Sequence, residues 1–159
     1  HTYKDALGAL AIARQAGIVV RPTFIAFTPW TTLADYVWLI RFVIEHDLVH
    51  EVDPVQLTLR LLVPPKSLLL AEPALAPHLG ALDAAGFSYA WTHPDPRMDR
   101  LQREVAALVE DSGCGDRPRV RVLSDLLALA ERALGEPAAP TRWPTIRPAT
   151  AHLSEPWFC

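Results

Sequence analysis

Two apolar runs rich in β-branched residues constrain the fold of this chain more than any other feature. Residues 18–28, IVVRPTFIAFT, and 55–63, VQLTLRLLV, are apolar nearly throughout, which is typical of parallel strands covered on both faces. Each follows a segment with helical periodicity, first 2–17 and then the stretch that opens at Thr32. The order helix, strand, helix, strand with short connections predicts an α/β fold of parallel strands covered by helices.

Helical patterns dominate the second half of the chain. We expect helices at 73–85, about 97–111 and roughly 119–134, with a short strand at 87–91, FSYAW. The last segment, 136–159, is rich in proline and has no periodic apolar face, so it is expected to be extended or disordered. Large aromatic residues are costly to leave in water, so some of those in this tail should dock on a surface: Trp143, Trp157 and Phe158.

Composition excludes several classes of protein. The 159 residues carry 15 basic and 18 acidic side chains for a net charge of -3, and no basic run suggests a nucleic-acid surface. The apolar runs are shorter than the roughly 20 residues that span a bilayer, so no membrane segment is expected. Two cysteines, Cys114 and Cys159, make no disulfide framework, which favours the reducing cytoplasm.

The two predicted strands are too few to complete a sheet. Two or three parallel strands cannot close a barrel or finish a doubly wound fold, and one strand would keep an unpaired apolar edge. We therefore expect a further N-terminal part of the same barrel as a partner. The alternative is a small α/β domain that is complete as it stands and binds a ligand or partner without catalysis.

Polar residues at the ends of these strands are candidate site residues. Arg60 lies between leucines in the second strand, where it either clamps a carboxylate or phosphate or forms a structural salt bridge to a residue such as Asp53. Trp30 and Thr31 follow the first strand where it meets a helix N-terminus, a common place for ligands, although helix capping also accounts for threonine there. His93 is a candidate acid or base, or simply part of a turn.

Other candidates are weaker. His46 and His50 lie one helical turn apart beside carboxylates, but histidines are also favoured at a helix C-terminus, and we expect no metal site. Cys114 lies between glycines with nothing nearby to activate its thiol.

The run ARQAGIVVRPTFIAFTPWTTLADYVWLIRFVIEHDL resembles the later half of a radical S-adenosylmethionine (radical SAM) enzyme. The following VDPVQLTLRLLVPPKSLLL is similar to the last barrel strand of that family, which carries an arginine before a proline turn. The final HLSEPWFC is similar to the lead-in of family members with a Cys-Cys-Ala-Glu-Pro or Cys-selenocysteine-Ala-Glu-Pro tail. The resemblance divides the chain into the C-terminal half of a barrel, 1–95, a helical extension, 96–135, and a tail, 136–159.

The resemblance implies a partial TIM-type (βα) barrel that holds a [4Fe-4S] cluster and S-adenosylmethionine. The reduced cluster would cleave the cofactor to a 5′-deoxyadenosyl radical, which abstracts hydrogen from an unknown substrate. Trp30, Thr31 and His93 would face that substrate, and Cys159 would act from the tail, with selenocysteine as the hypothetical next residue. Six residues match the positions that flank the cofactor in the family: Ile25, Ala26, Phe27, Thr28, Arg60 and Leu61.

The sequence departs from the family at two points. Phe27-Thr28-Pro29-Trp30-Thr31-Thr32 replaces the common Gly-x-Pro-Gly-Glu-Thr turn, so both glycines and the glutamate are lacking. The CxxxCxxC cluster motif is also lacking, and three thiolates are normally needed to hold such a cluster. We therefore expect neither cofactor to bind stably to this chain alone.

Overall fold

The computed structural model describes residues 2–113, 117–135 and 141–143. Short 3-10 turns occupy Pro54–Leu57, Leu68–Ala71 and Ala76–His78. The helices and strands, in chain order, are α1 (Tyr3–Gln15), α2 (Leu33–Glu45), β1 (Leu79–Asp83), β2 (Ser88–Trp91), α3 (Pro96–Gly113) and α4 (Arg119–Leu134).

Helices α2, α3 and α4 form the main core. Helix α2 begins where the capping box predicts, because the Thr32 hydroxyl accepts from the Asp35 amide at 3.1 Å and the Asp35 carboxylate accepts from the Thr32 amide at 2.9 Å. Helix α4 packs against both α2 and α3, and it ends at Gly135, whose φ of 83° suits glycine. Burial of each large apolar side chain here contributes roughly 1.5–3 kcal/mol. The fully buried residues of this core include Tyr36, Ile40, Val43, Leu101, Val105, Leu123 and Leu126.

Helix α1 has the same length as α2 but lies at the surface. Its N-terminus carries an equivalent capping box between Thr2 and Asp5, yet none of its residues is buried. It touches the core through partly buried Leu7 and Leu10, and the ring of Tyr3 packs edge-on against Phe42, with centroids 5.8 Å apart. Capping therefore sets where α1 begins, but packing contributes little to it.

Neither of the two predicted strands is a regular strand. They meet in a single parallel bridge, in which the Phe27 amide donates to the Leu59 carbonyl at 3.0 Å and the Leu61 amide to the Phe27 carbonyl at 2.8 Å. The first half of the predicted strand 55–63 is instead the 3-10 turn that Asp53 caps. A strand needs a neighbour along its length to satisfy its backbone groups, and the bridge supplies one at a single position.

The sheet itself is an antiparallel hairpin of β1 and β2. Leu79 pairs with Trp91 and Leu82 with Tyr89, with an irregular register between them. The predicted helix at 73–85 is wrong, because Pro77 cannot donate to a helical ladder and its ring clashes with the preceding turn. The mixed α/β class and the short strand in 87–91 are confirmed, whereas the prediction of parallel strands is wrong for this sheet.

Hydrogen bonds connect the extended segments to the hairpin. Beyond the bridge, the Val63 carbonyl accepts from the Tyr89 amide at 2.8 Å, and the Val63 amide donates to the Ser88 hydroxyl at 2.9 Å. Val63, Leu75 and Trp91 form a second, smaller core below this junction. The chain thus places four segments side by side in the order 25–28, 58–63, β2, β1.

The C-terminal part agrees with the sequence as far as it is described. The predicted helices 97–111 and 119–134 correspond to α3 and α4. Among the tail aromatics, Trp143 packs against the main core as expected, whereas Trp157 and Phe158 lie outside the described residues.

Candidate functional site

A network of polar groups joins several of the predicted site residues around Asp99. The Asp99 carboxylate accepts from the Arg60 guanidinium at 2.7 Å through one oxygen and from the His93 amide at 3.0 Å through the other. Asp99 stands in the first turn of α3, Arg60 lies in the extended segment that bridges to Phe27, and His93 follows β2. We call this set, with Thr31 and Trp91, the Asp99 network.

Arg60 is held on three sides. Besides the ion pair with Asp99, its guanidinium donates to the Trp91 carbonyl at 2.9 Å and lies 3.9 Å from the centroid of the Trp91 ring. The side chains of Arg60 and Asp99 are 27% and 18% exposed, so the pair is partly desolvated. The structural salt bridge therefore exists, but its partner is Asp99, since Asp53 lies 3.7 Å from Arg119 instead.

Both ring nitrogens of His93 have backbone partners. Nδ1 accepts from the Asp95 amide at 2.9 Å, which assigns the proton to Nε2, and Nε2 then donates to the Thr31 carbonyl at 2.9 Å. The Asp95 carbonyl oxygen also lies 3.0 Å from Nδ1. His93 thereby ties the turn before α2 to the loop before α3.

The loop before α3 holds a second ion pair. Asp95 accepts from the Arg97 amide at 2.9 Å, which caps α3 as the Asp-Pro pattern indicates. The hydrogen bonds from the side chain and the amide of Arg97 lower the pKa of the Asp95 carboxyl below its usual value. The loop that carries His93 is thus fixed at both ends, by Asp95 and by the contact with Thr31.

The turn before α2 is closed by its own hydroxyl groups. The hydroxyls of Thr28 and Thr31 lie 2.8 Å apart, and the Thr31 amide donates to the Thr28 carbonyl at 3.2 Å. Trp30, at the tip of this turn, is 45% exposed. A tryptophan that remains this exposed beside a rigid turn is available to contact a bound molecule.

The six residues matched to the cofactor-flanking positions differ in whether their hydrogen-bonding groups are already used within the chain. The backbone groups of Phe27 are used in the parallel bridge, and the Leu61 carbonyl accepts from the Trp91 indole at 2.8 Å. Arg60 and Thr28 are engaged within the network and the turn. Ile25 and Ala26, in contrast, form no backbone hydrogen bond to another described residue, although Ala26 is buried.

Two histidines that follow α2, the C-cap residue His46 and His50 in the turn beyond it, stand apart from this network. His46 Nε2 lies 3.0 Å from the Tyr3 hydroxyl, and the buried Nε2 of His50 has no hydrogen-bond partner within the described part of the chain. In that same part, no three histidine, cysteine or carboxylate side chains are grouped as metal ligands. Cys114 and Cys159 lie outside the described residues.

Sequence reasoning found Thr31, Arg60 and His93 but missed the two residues that connect them. One feature of the sequence could have suggested Asp99. It is an acidic residue in the first turn of a predicted helix, and an arginine among apolar neighbours needs such a partner. Trp91 was only the last residue of a short strand candidate, and nothing in its surroundings predicts that it stacks on a guanidinium.

No family model, no curated protein and no solved structure matches the chain. Within the described ranges, no helix is long and apolar enough to cross a membrane.

Proposed function

We propose that this chain is the C-terminal part of a cytoplasmic radical SAM enzyme, in which residues 1–95 form the last part of a partial (βα) barrel. The enzyme would generate a 5′-deoxyadenosyl radical and abstract hydrogen from a substrate of unknown class. The resemblance of 18–63 to the late barrel strands is the first support. The parallel bridge between Phe27 and Arg60 is the structural observation that carries the proposal.

The bridge supports the proposal because of the edge that it leaves. Phe27 directs both backbone groups to the segment 58–61, so the alternation of an extended chain directs those of Ala26 to the opposite side. Ala26 is buried, yet its backbone has no partner among the described residues. A buried backbone with free donors and acceptors is costly, and an adjacent parallel strand from the rest of a barrel would satisfy it.

Of the two cofactors, we assign S-adenosylmethionine to this edge, because this chain has too few cysteines for the iron-sulfur cluster. In the family the cofactor's adenine lies along a strand and is bound by backbone groups, and the exposed Ile25 has such groups free. The cluster normally needs three thiolates, and the sequence has two cysteines. The cluster ligands, and with them the radical chemistry, would therefore belong to the N-terminal part.

The residues of this chain would bind and orient rather than react. Trp30 offers an exposed aromatic face at the end of the first segment, and Thr31 and His93 fix the turn that carries it. The charge of Arg60 is neutralised by Asp99. We therefore propose that Arg60 does not bind a ligand but holds the segment 58–63 against α3. Cys159 remains a proposed catalytic residue in the tail.

The test is the protein encoded by the complete reading frame. We expect an in-frame CxxxCxxC motif upstream, bound iron and sulfide after anaerobic reconstitution, and 5′-deoxyadenosine when S-adenosylmethionine and dithionite are added. Replacing the cysteines of that motif with alanine is the matched control and should remove both iron and product. A reading frame without the motif, or a reconstituted protein that makes no 5′-deoxyadenosine, contradicts the proposal.

One observation favours the second candidate, a complete small α/β domain that binds a ligand or partner. Arg60 is paired with Asp99, and His93 with the Thr31 carbonyl, within the chain, as expected of a finished fold. A start codon immediately before His1 would support this candidate. Under it, the buried backbone of Ala26 has no partner to gain from a further strand.

A further inference from the structure

A cleft between α3 and α4 carries an unusual charge. It has a volume of about 370 Å³ and lies apart from the Asp99 network. Its α3 wall presents Arg97, Arg100 and Glu104 along one helical face, and α4 contributes Arg132. Leu101 and Leu129 form an apolar floor. Three arginines and one glutamate thus line one cleft, although the whole chain has a net charge of -3.

The three arginines are not equivalent. Arg97 is oriented by Asp95, which accepts from its Nε at 3.0 Å and its Nη2 at 2.7 Å, so Nη1 is not used by Asp95 and is available to a ligand. Arg100 and Arg132 form no ion pair with any residue that the structure describes. The cleft therefore combines one guanidinium whose direction is fixed with two that can turn toward a ligand.

We propose that this cleft binds a small polyvalent oxyanion, such as a molecule with a phosphate ester or several carboxylates. A guanidinium group can bind two oxygens of a phosphate or a carboxylate through paired hydrogen bonds. The leucine floor would hold an apolar portion of the ligand, and partial enclosure by two helices strengthens the attraction relative to an open surface. Glu104 opposes one side of the anion and limits how many charges the cleft accepts.

Pyrophosphate is the probe for this proposal, titrated into the purified chain at low ionic strength by isothermal calorimetry. We expect saturable binding of one molecule per chain with a Kd below about 1 mM. The double substitution R100Q/R132Q should weaken binding at least about tenfold, because charge-assisted hydrogen bonds are lost. The control R103Q/R121Q removes the same charge from exposed positions outside the cleft and should leave the Kd within about twofold.

A third variant sharpens the test. Glu104→Gln removes the only carboxylate among the residues that line the cleft and should tighten pyrophosphate binding about threefold or more. Circular dichroism verifies that each variant is folded, which is expected because the changed arginines are exposed. If the two double variants weaken pyrophosphate binding equally, pyrophosphate is attracted to positive charge in general and not to this cleft. That result would overturn the proposal. Absence of saturable binding by the folded parent chain would overturn it as well.

Discussion

Two regions of the molecule are rich in apolar residues. One is the helical layer of α2, α3 and α4, and the other is the pair of segments 18–28 and 58–63, which we call the extended pair. Only the helical layer buries its apolar surface within the chain. The helices bury their stripes against one another, whereas Ile18, Val19 and Ile25 remain exposed. A helix satisfies its own backbone, so apolar periodicity is sufficient to define it once a partner face exists. A strand obtains its hydrogen bonds only from neighbours, and the extended pair has one bridge.

The largest difference between these regions should appear in core truncations. Leu126→Ala in α4 removes a fully buried side chain and should lower the free energy of unfolding by about 2–5 kcal/mol. Ile25→Ala, in the extended pair, removes a side chain that is 56% exposed and should change it by less than about 0.5 kcal/mol. Urea unfolding of the two variants checks this. Equal losses would mean that the extended pair is packed as firmly as the helices.

The Asp99 network should give the next largest effect, because it links the two regions. Asp99→Asn leaves the partly buried Arg60 guanidinium without its counter-charge and should cost about 1–3 kcal/mol in urea unfolding. The control is Asp125→Asn, which alters the ion pairs of Arg117 and Arg121 nearer the surface and should cost less than about 1 kcal/mol. If Asp99→Asn is as mild as the control, the network does not hold the regions together.

Removal of a helix cap should lower the free energy of unfolding by a smaller amount, and the loss should differ between α2 and α1. Thr32→Ala removes the hydroxyl that caps α2 and should lower the free energy of unfolding by about 1 kcal/mol. Thr2→Ala removes the same bond from α1, which buries no residue, so its effect should be confined to faster amide exchange in α1 with a smaller loss of global stability. Identical global losses would show that α1 unfolds together with the core.

The smallest effect concerns pH. Hydrogen bonds from the side chain and amide of Thr32 lower the pKa of Asp35 below 3.8. Because the pKa is lower in the folded state, Asp35 contributes stability above pH of about 4, and this contribution is lost as the pH falls through its lowered pKa. The difference in Tm between the parent and Asp35→Asn should therefore narrow below about pH 4. A difference that stays constant down to pH 2, about the lower limit of such titrations, contradicts the assignment.

Local signals explain what the sequence could predict. The pair Thr32 and Asp35 predicts the start of α2, and Gly135 predicts the end of α4. Both predictions are correct because helix caps depend only on residues within one turn of the helix end. The hairpin strand in 79–83 was missed because leucines at helical spacing favour a helix across 73–85, against the local effect of Pro77. In the structure, proline and the tight turn near Gly86 prevail.

The candidate site was predicted only in part, for a related reason. That Arg60 needs a partner follows from its apolar neighbours, but the choice of Asp99, 39 positions away along the chain, depends on how α3 is placed. The extent of the extended pair was overestimated because β-branched composition shows that a segment suits a sheet, not that a neighbouring strand is present.

The central claim is that Ala26 lies at the edge of a sheet whose next strand is supplied by the rest of a barrel. Amide hydrogen exchange by NMR tests it directly, in this chain and in the protein encoded by the complete reading frame. In this chain the Ala26 amide should exchange much faster than the Phe27 amide, which is bonded to Leu59. In the complete protein the Ala26 amide should slow by at least about a hundredfold. Unchanged exchange in the complete protein would contradict the account.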